Sequence, residues 1–159
     1  MNDIYTSFAG VYDKLMEDVP YEKWVEFITS KYEATGLRSK IVCDLGCGTG
    51  RLTTLLAEKG YDMIGIDVST DMLDVARNRK SRSEILYLCQ DMREFELFGT
   101  VGMIVSVCDC INYITDSREL KKVFRLANNY LEKNGLFIFD FHTEHYYKNV
   151  LGNRTYAAN

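Results

Sequence analysis

The residues best suited to chemistry sit in one short run, Asp44-Leu45-Gly46-Cys47-Gly48-Thr49-Gly50. Glycines at a spacing of two let a backbone turn sharply and approach a ligand without Cβ clashes. A helix starting just beyond such a turn aims free N–H groups and a positive dipole end at whatever lies there. The spacing also separates ligand classes. A dinucleotide fingerprint needs G-x-G-x-x-G, and counting from Gly46 and Gly48 its third glycine would fall at Arg51. A P-loop needs G-x4-G-K-[ST], and no Gly-Lys-Ser or Gly-Lys-Thr follows. Asp67 closes the next apolar run, 17 residues after Gly50. A carboxylate there offers two acceptor oxygens to a pair of neighbouring hydroxyls.

The surrounding pattern supplies a scaffold for these groups. Ile4, Phe8, Val11, Tyr12 and Leu15 recur at helical spacing through 3–17. Pro20 then opens a second helix, with Trp24, Phe27, Ile28 and Tyr32 as its apolar stripe and Gly36 as its stop. From residue 41 short apolar runs alternate with helical segments. Strands are predicted at 41–45, 63–66, 85–89, 103–107 and 136–139. Helices are predicted at 51–59, and from a Ser69 or Thr70 cap to about 80. A third is opened by an Asp116-x-x-Glu119 capping box, carries Leu120, Val123, Phe124, Ala127 and Leu131 on one face, and ends at Asn134-Gly135. This alternation predicts an α/β fold with a doubly wound parallel sheet. Ligands of such sheets bind at the carboxyl ends of the strands, beside the switch point.

Composition bounds the rest. The chain has 159 residues, enough for one domain with its own core, and its 47% hydrophobic and 13% aromatic content excludes a disordered chain. A net charge of -4 argues against a nonspecific nucleic-acid binder, so no DNA partner is expected, although an enzyme acting on RNA is not excluded. No apolar run approaches the ~20 residues of a membrane span, and the first residues do not read as a signal peptide, so the expected location is cytoplasmic. The five cysteines are odd in number, and Cys43-x3-Cys47 and Cys108-x-Cys110 lack the usual zinc spacing. They read as small buried hydrophobes, with no metal expected.

The acid followed by G-x-G-x-G resembles the class I S-adenosylmethionine methyltransferases, with Asp44, Gly46, Gly48 and Gly50 matching residue by residue. The resemblance implies a Rossmann-like sheet in the order 3-2-1-4-5 and S-adenosylmethionine as cofactor. It implies that the glycine loop, Cys47 included, packs on the methionine half, and that Asp67, followed by Val68, takes the ribose hydroxyls. Asp91 would accept from the adenine amino group, with Met92 and Met72 on the two faces of the ring; taken alone, both methionines also read as core. The backbone at Cys108 would hold the cofactor amino group. Asp109 would pair with that ammonium, orient a substrate or cap its own loop. Asn112 and Tyr113 are substrate-side candidates. His142 is a candidate general base, since free imidazole titrates near ~6.5, or a structural residue of a strand-end loop.

A closer likeness covers nearly the whole chain. Phe8-Ala-x-Val-Tyr12-Asp13-x-Leu-Met16, Pro20-Tyr21-x-x-Trp24, Asp109-x-x-Asn112-Tyr113-Ile114 and Phe139-Asp140 are similar to the bacterial YqeM-like methyltransferases. That likeness implies two N-terminal capping helices within 1–38, a cofactor core over 39–141, and Tyr12 either approaching the cofactor carboxylate or simply half-buried. It also implies that 142–159 is a truncated tail lacking the later strands, leaving an open edge at 136–139 through which a homodimer could form. The expected function is methyl transfer to an unidentified acceptor, a small molecule or RNA. The alternatives are a nicotinamide-dependent oxidoreductase and a non-catalytic module that binds S-adenosylmethionine or a partner.

Overall fold

The structure, a computed structural model, describes residues 11–152. Its strands are β1 (Ile41–Leu45), β2 (Asp62–Asp67), β3 (Leu86–Cys89), β4 (Val101–Ser106) and β5 (Leu131–Phe139). They form one sheet in the order β3-β2-β1-β4-β5, and every neighbouring pair is parallel. The helices are α1 (Tyr21–Glu33), α2 (Arg51–Glu58), α3 (Thr70–Asn78) and α4 (Ser117–Tyr130). A 3-10 turn (Cys110–Tyr113) follows β4 and a π-helical turn (Tyr146–Leu151) follows β5.

Successive strand residues point to opposite faces, so the apolar runs feed two cores. Val42, Met63, Met103 and Val105 pack against Tyr21, Val25 and Ile28 of α1 and Leu52 and Leu56 of α2. Cys43, Leu45, Ile66 and Ile104 pack on the other face with Phe95 and Ala127. The chain order reverses at β1, which lies between β2 and β4. The loops after these strands therefore diverge there and leave a crevice.

Three local expectations are corrected. In α1 the buried stripe is Tyr21, Val25, Ile28 and Tyr32, whereas Phe27 faces solvent beside Lys31. Two apolar stripes overlap in this helix. The one that wins lets the Tyr32 hydroxyl donate to the Ser39 carbonyl (2.9 Å) and sets the Tyr21 ring under the Arg51 guanidinium (4.8 Å to the centroid). At the far end, α4 stops at Tyr130 rather than at Asn134-Gly135. Leu131 turns extended to pair with Val101 and to pack in the core, and Asn134 takes a φ of 68° in the stretch where β5 shifts register. At the start of α4 the cap is single, not reciprocal: Asp116 accepts from the Arg118 amide (2.8 Å), and Glu119 pairs with Lys122 (2.9 Å).

Residues 3–10 of the first predicted helix and 153–159 of the tail lie outside the described residues; residues 11–15 are helical. Asp13 fastens this segment to the loop after β1 and to the end of α3. Its carboxylate accepts from the Thr49 hydroxyl and from Arg79 Nη2, both at 2.6 Å, while Arg79 Nε donates to the Thr49 carbonyl (3.0 Å). Among the described residues β5 pairs only with β4, and no helix is long and apolar enough to cross a membrane.

The packing of α1 on β4 gives a test. A Cβ at Gly102 would collide with the Tyr32 hydroxyl and lie 2.8 Å from Ser39 Cβ. Overpacking of this kind costs about 1–3 kcal/mol. Gly102→Ala is expected to lose that much in urea unfolding. Combining it with Tyr32→Phe should cost less than the sum of the two single changes, because the second removes the atom that clashes.

Candidate functional site

A cavity of about 510 Å³ opens at the carboxyl ends of the strands, on the crevice left by the reversal of chain order. That volume lies within the usual range for small-molecule sites, roughly 300–1,000 Å³. Its walls are the loops after β1, β2, β3 and β4, together with Tyr12 from the N-terminal segment.

The glycine loop is built by backbone pairing to β2. The Ile66 carbonyl accepts from the Gly46 amide (2.8 Å) and from the Cys47 amide (3.0 Å), so the β1–β2 ladder continues past the strand end. The Gly48 amide donates to Asp67 Oδ2 (2.8 Å). Gly46, Gly48 and Gly50 all have positive φ, between 53° and 79°, where a side chain is strained. They differ in what surrounds them. A Cβ on Gly46 would meet Cys110 Sγ at 2.6 Å, and one on Gly50 would meet Tyr87 Oη at 2.5 Å. A Cβ on Gly48 would meet nothing within 4 Å. Gly46 and Gly50 are therefore needed for close packing within the protein, and the loop opens to the cavity over Gly48.

Asp67 is held from both sides. Oδ2 accepts from the Gly48 amide and Oδ1 from the Ser69 amide (2.9 Å). Ser69 in turn caps α3 by accepting from the Met72 amide (3.3 Å). Val68 and Met72 complete this wall. On the β3 side, the Asp91 carboxylate is gripped by Arg93 through its backbone amide, Nε and Nη2. Arg93 holds the Asp91 carboxyl below the usual range, mainly through the side-chain hydrogen bonds. A ligand amino group can thus reach Asp91 only where Arg93 yields an oxygen. Met92 lines the cavity and also packs into the core beside Leu88 and Phe95.

The β4 side is sharply turned. Cys108 and Asp109 both take left-handed backbone conformations, with φ of 62° and 72°. Such strain in residues other than glycine is concentrated at functional turns. Cys108, Cys110 and Tyr113 line the cavity. Cys110 reaches the Gly46 carbonyl (3.3 Å), which joins this turn to the glycine loop. Tyr12 completes the wall; burial first, then the neighbouring Cys108, Cys110, Tyr113 and Asp67, push its phenol above the ordinary value.

Six sequence-predicted residues are not on the wall: Asp44, Cys47, Gly50, Asp109, Asn112 and His142. Asp44 is buried behind the loop, where its Oδ2 accepts from the Thr53 hydroxyl of α2 (2.6 Å). Cys47 is buried beside Gly65, and Gly50 caps α2. Asp109 turns away toward His142, whose backbone is bonded in both directions to the Asn112 side chain (2.8 and 3.0 Å). Arg93, Ser69 and Thr115, which sequence reading passed over, are on the wall. An Arg two residues after an acid is the signal that could have located the first of them.

Burial, only partly offset by the Thr53 hydroxyl and reinforced by Asp67, pushes the Asp44 carboxyl up to about 7. The folded protein then keeps a proton that the unfolded chain releases near its ordinary value of 3.8. Stability is therefore lost as pH rises from about 4 to about 7. Each pKa unit corresponds to about 1.4 kcal/mol. Urea unfolding at pH 5 and pH 8 should show a drop on the order of 2 kcal/mol in the parent. Asp44→Asn, which keeps an acceptor for Thr53 without the charge, should flatten that drop.

Comparison with known proteins agrees with this geometry. Residues 42–135 match the family model described as a methyltransferase domain. YqeM of Bacillus subtilis (strain 168), designated a methyltransferase by inference, is 37% identical over 156 residues, covering 97% of this chain and 62% of that protein. The crystal structure of an S-adenosylmethionine-dependent methyltransferase from Clostridium acetobutylicum ATCC 824 superposes with a TM-score of 0.86 at 36% identity, covering 99% of this chain and 65% of that one. The chain thus spans less than two thirds of the length of these relatives. CalS10 from Micromonospora echinaspora, an amino pentose methyltransferase solved with S-adenosylmethionine bound, shares the fold at a TM-score of 0.76 and 18% identity, covering 84% of this chain and 56% of its own. The chain belongs to the methyltransferase-domain family.

Proposed function

We propose that the cavity takes S-adenosylmethionine and that the protein moves its methyl group to a small-molecule acceptor. The observation that carries this reading is Asp67. Its carboxylate has one backbone donor on each oxygen and faces the cavity, so each oxygen keeps acceptor capacity for one of two adjacent ribose hydroxyls. The open space over Gly48, which any side chain would occupy, fits a ligand lying close to the loop backbone. When bound, the cofactor supplies an electrophilic methyl group on a sulfonium.

This chain's own residues then bind, orient and exclude water. Asp67 fixes the ribose, and Met72 and Met92 offer apolar surface for the base on the β3 side. Tyr12, Cys108 and Cys110 close the opposite end of the cavity. Positioning of two reactants accounts for much of the rate in displacement reactions, up to roughly 7–11 kcal/mol in favourable models. A small-molecule acceptor is supported by CalS10, which shares the fold and acts on an amino pentose. No observation favours a nicotinamide dinucleotide: Arg51 stands where that fingerprint needs glycine, and its guanidinium lies over Tyr21.

Calorimetry on the 159-residue chain tests the reading. S-adenosylmethionine and S-adenosylhomocysteine should bind and NAD should not. Asp67→Ala should weaken binding at least tenfold, as expected for losing charge-assisted hydrogen bonds of about 1.5–3 kcal/mol each. Because Asp67 also holds the loop, an S-adenosylhomocysteine analogue lacking both ribose hydroxyls separates the two effects. The parent should discriminate against it and the variant should not. Binding of NAD alone, or equal preference in the parent, would overturn the assignment.

A further inference from the structure

The strand ends bring together polar residues from two parts of the chain, Asp109 and Asn112 after β4 and His142 after β5, just behind the wall residues Cys108, Cys110 and Tyr113. Asp109 follows β4 and His142 follows β5; their Oδ1 and Nδ1 atoms are 2.5 Å apart. Both atoms are buried, and among the described residues neither has any other partner. A proton held between the two atoms would join the side chains into a pair. The contact is close without the alignment of a regular hydrogen bond, as is common at sites that tighten when a ligand arrives. The histidine is held from behind as well. Asn112 clamps its backbone on both sides, and the ring stacks on Tyr146 with centroids 4.1 Å apart. The His142 side chain is still 32% exposed although Nδ1 is buried, so the accessible edge of the ring is the one carrying Nε2.

The position of this pair follows from the strand order. β3 and β5 are at opposite ends of the sheet. With the ribose on Asp67 and the base toward Met92 after β3, the sulfonium, attached to the ribose on the side away from the base, lies toward the loop after β4. Asp109 sits there between two wall residues, Cys108 and Cys110. We propose that His142 is the general base for the methyl acceptor and that Asp109 is the residue that positions it. This rests on the cofactor reading above.

Asp109 holds the proton on Nδ1, which leaves Nε2 with its lone pair. The acceptor's lone pair forms the bond to the methyl carbon, and the electrons of the sulfonium–methyl bond remain on sulfur. His142 Nε2 takes the proton that the acceptor nitrogen or oxygen gives up. The imidazolium so formed is stabilised by the Asp109 carboxylate. The other titratable groups around this pair include Asp140, whose Oδ1 accepts from the Asp109 amide (3.0 Å), Cys108, and Tyr113, Tyr146 and Tyr147.

The chain has two histidines, His142 and His145, so an NMR pH titration of labelled imidazole carbons resolves both, with His142→Gln assigning the signals. The titration is run on the full chain free, with S-adenosylhomocysteine and with S-adenosylmethionine. These ligands differ by a methyl group and a positive charge on sulfur. A positive sulfur near His142 should move its titration midpoint down relative to the complex with the neutral sulfide, with His145 the same in both complexes. Asp109→Asn should lower the His142 pKa in all three states, because the anionic partner is gone. Identical His142 titrations in the two complexes, with the Gly48 amide shifted by both ligands, would overturn the base and leave the cofactor reading standing. Absence of any shift at Gly48 would overturn both. The comparison of the two ligands uses the parent chain, so it decides the matter even where Asp109→Asn does not fold.

Discussion

The site depends on the way the end of β1 is sewn to the end of β2. One carbonyl, that of Ile66, takes two successive amides of the glycine loop, and the next residue's carboxylate takes a third from Gly48. Loop and acid are thereby one hydrogen-bonded unit. Neither can move without leaving buried or half-buried polar groups unpaired, which costs about 1–3 kcal/mol for each group. This is why the cavity can be walled by loops and still be preformed. The same pairing fixes Asp67 at the cavity wall with acceptor capacity left on each oxygen, instead of leaving a solvated side chain.

Two further contacts lock that unit to its surroundings. From below, Asp44 bonds Thr53 and so anchors the first turn of α2 beneath the loop. Burial raises the Asp44 pKa to about 7, so below that pH the neutral acid is favoured and an isolated charge in the core is avoided. From above, Asp13 accepts from Thr49 inside the loop and from Arg79 at the end of α3, which brings Tyr12 onto the cavity wall. The N-terminal segment is held by an ion pair and hydrogen bonds more than by core packing: Val11 and Leu15 remain exposed. Segments attached in this way open at lower cost than the sheet beneath them.

The β4 and β5 ends differ in construction from the glycine loop. Here the backbone is strained at Cys108 and Asp109 and held by side chains that cross between the strand ends, Asp140 to the Asp109 amide and Asn112 to His142. The chain's relatives continue well beyond the length matched here. The aromatic row of Phe124, Phe137, Phe139 and Phe141 lies at this outer side of the sheet, with Phe141 largely exposed.

Period and punctuation made the architecture readable. Runs such as Ile41–Leu45 and Met63–Ile66 can be buried strands because they are short, apolar and bounded by glycine or acid, and their alternation with helices leaves a parallel sheet as the economical topology. The glycine spacing and Asp67 were equally legible, since positive φ and a paired acceptor are properties of residue type. Helix-face choice and side-chain direction were not. Trp24-Phe27 and Tyr21-Val25 offer equally good stripes, and only the Ser39 carbonyl and Arg51, brought near by folding, decide between them. Asp91 reads as a free acceptor until Arg93 is seen to fill both its oxygens. Asp109 reads as a wall residue until the left-handed turn swings it onto a histidine 33 positions later. Local pattern determines which residues a strand or turn requires; which side chains meet across the strand ends is set by sheet order and register, and these exist only in the folded chain.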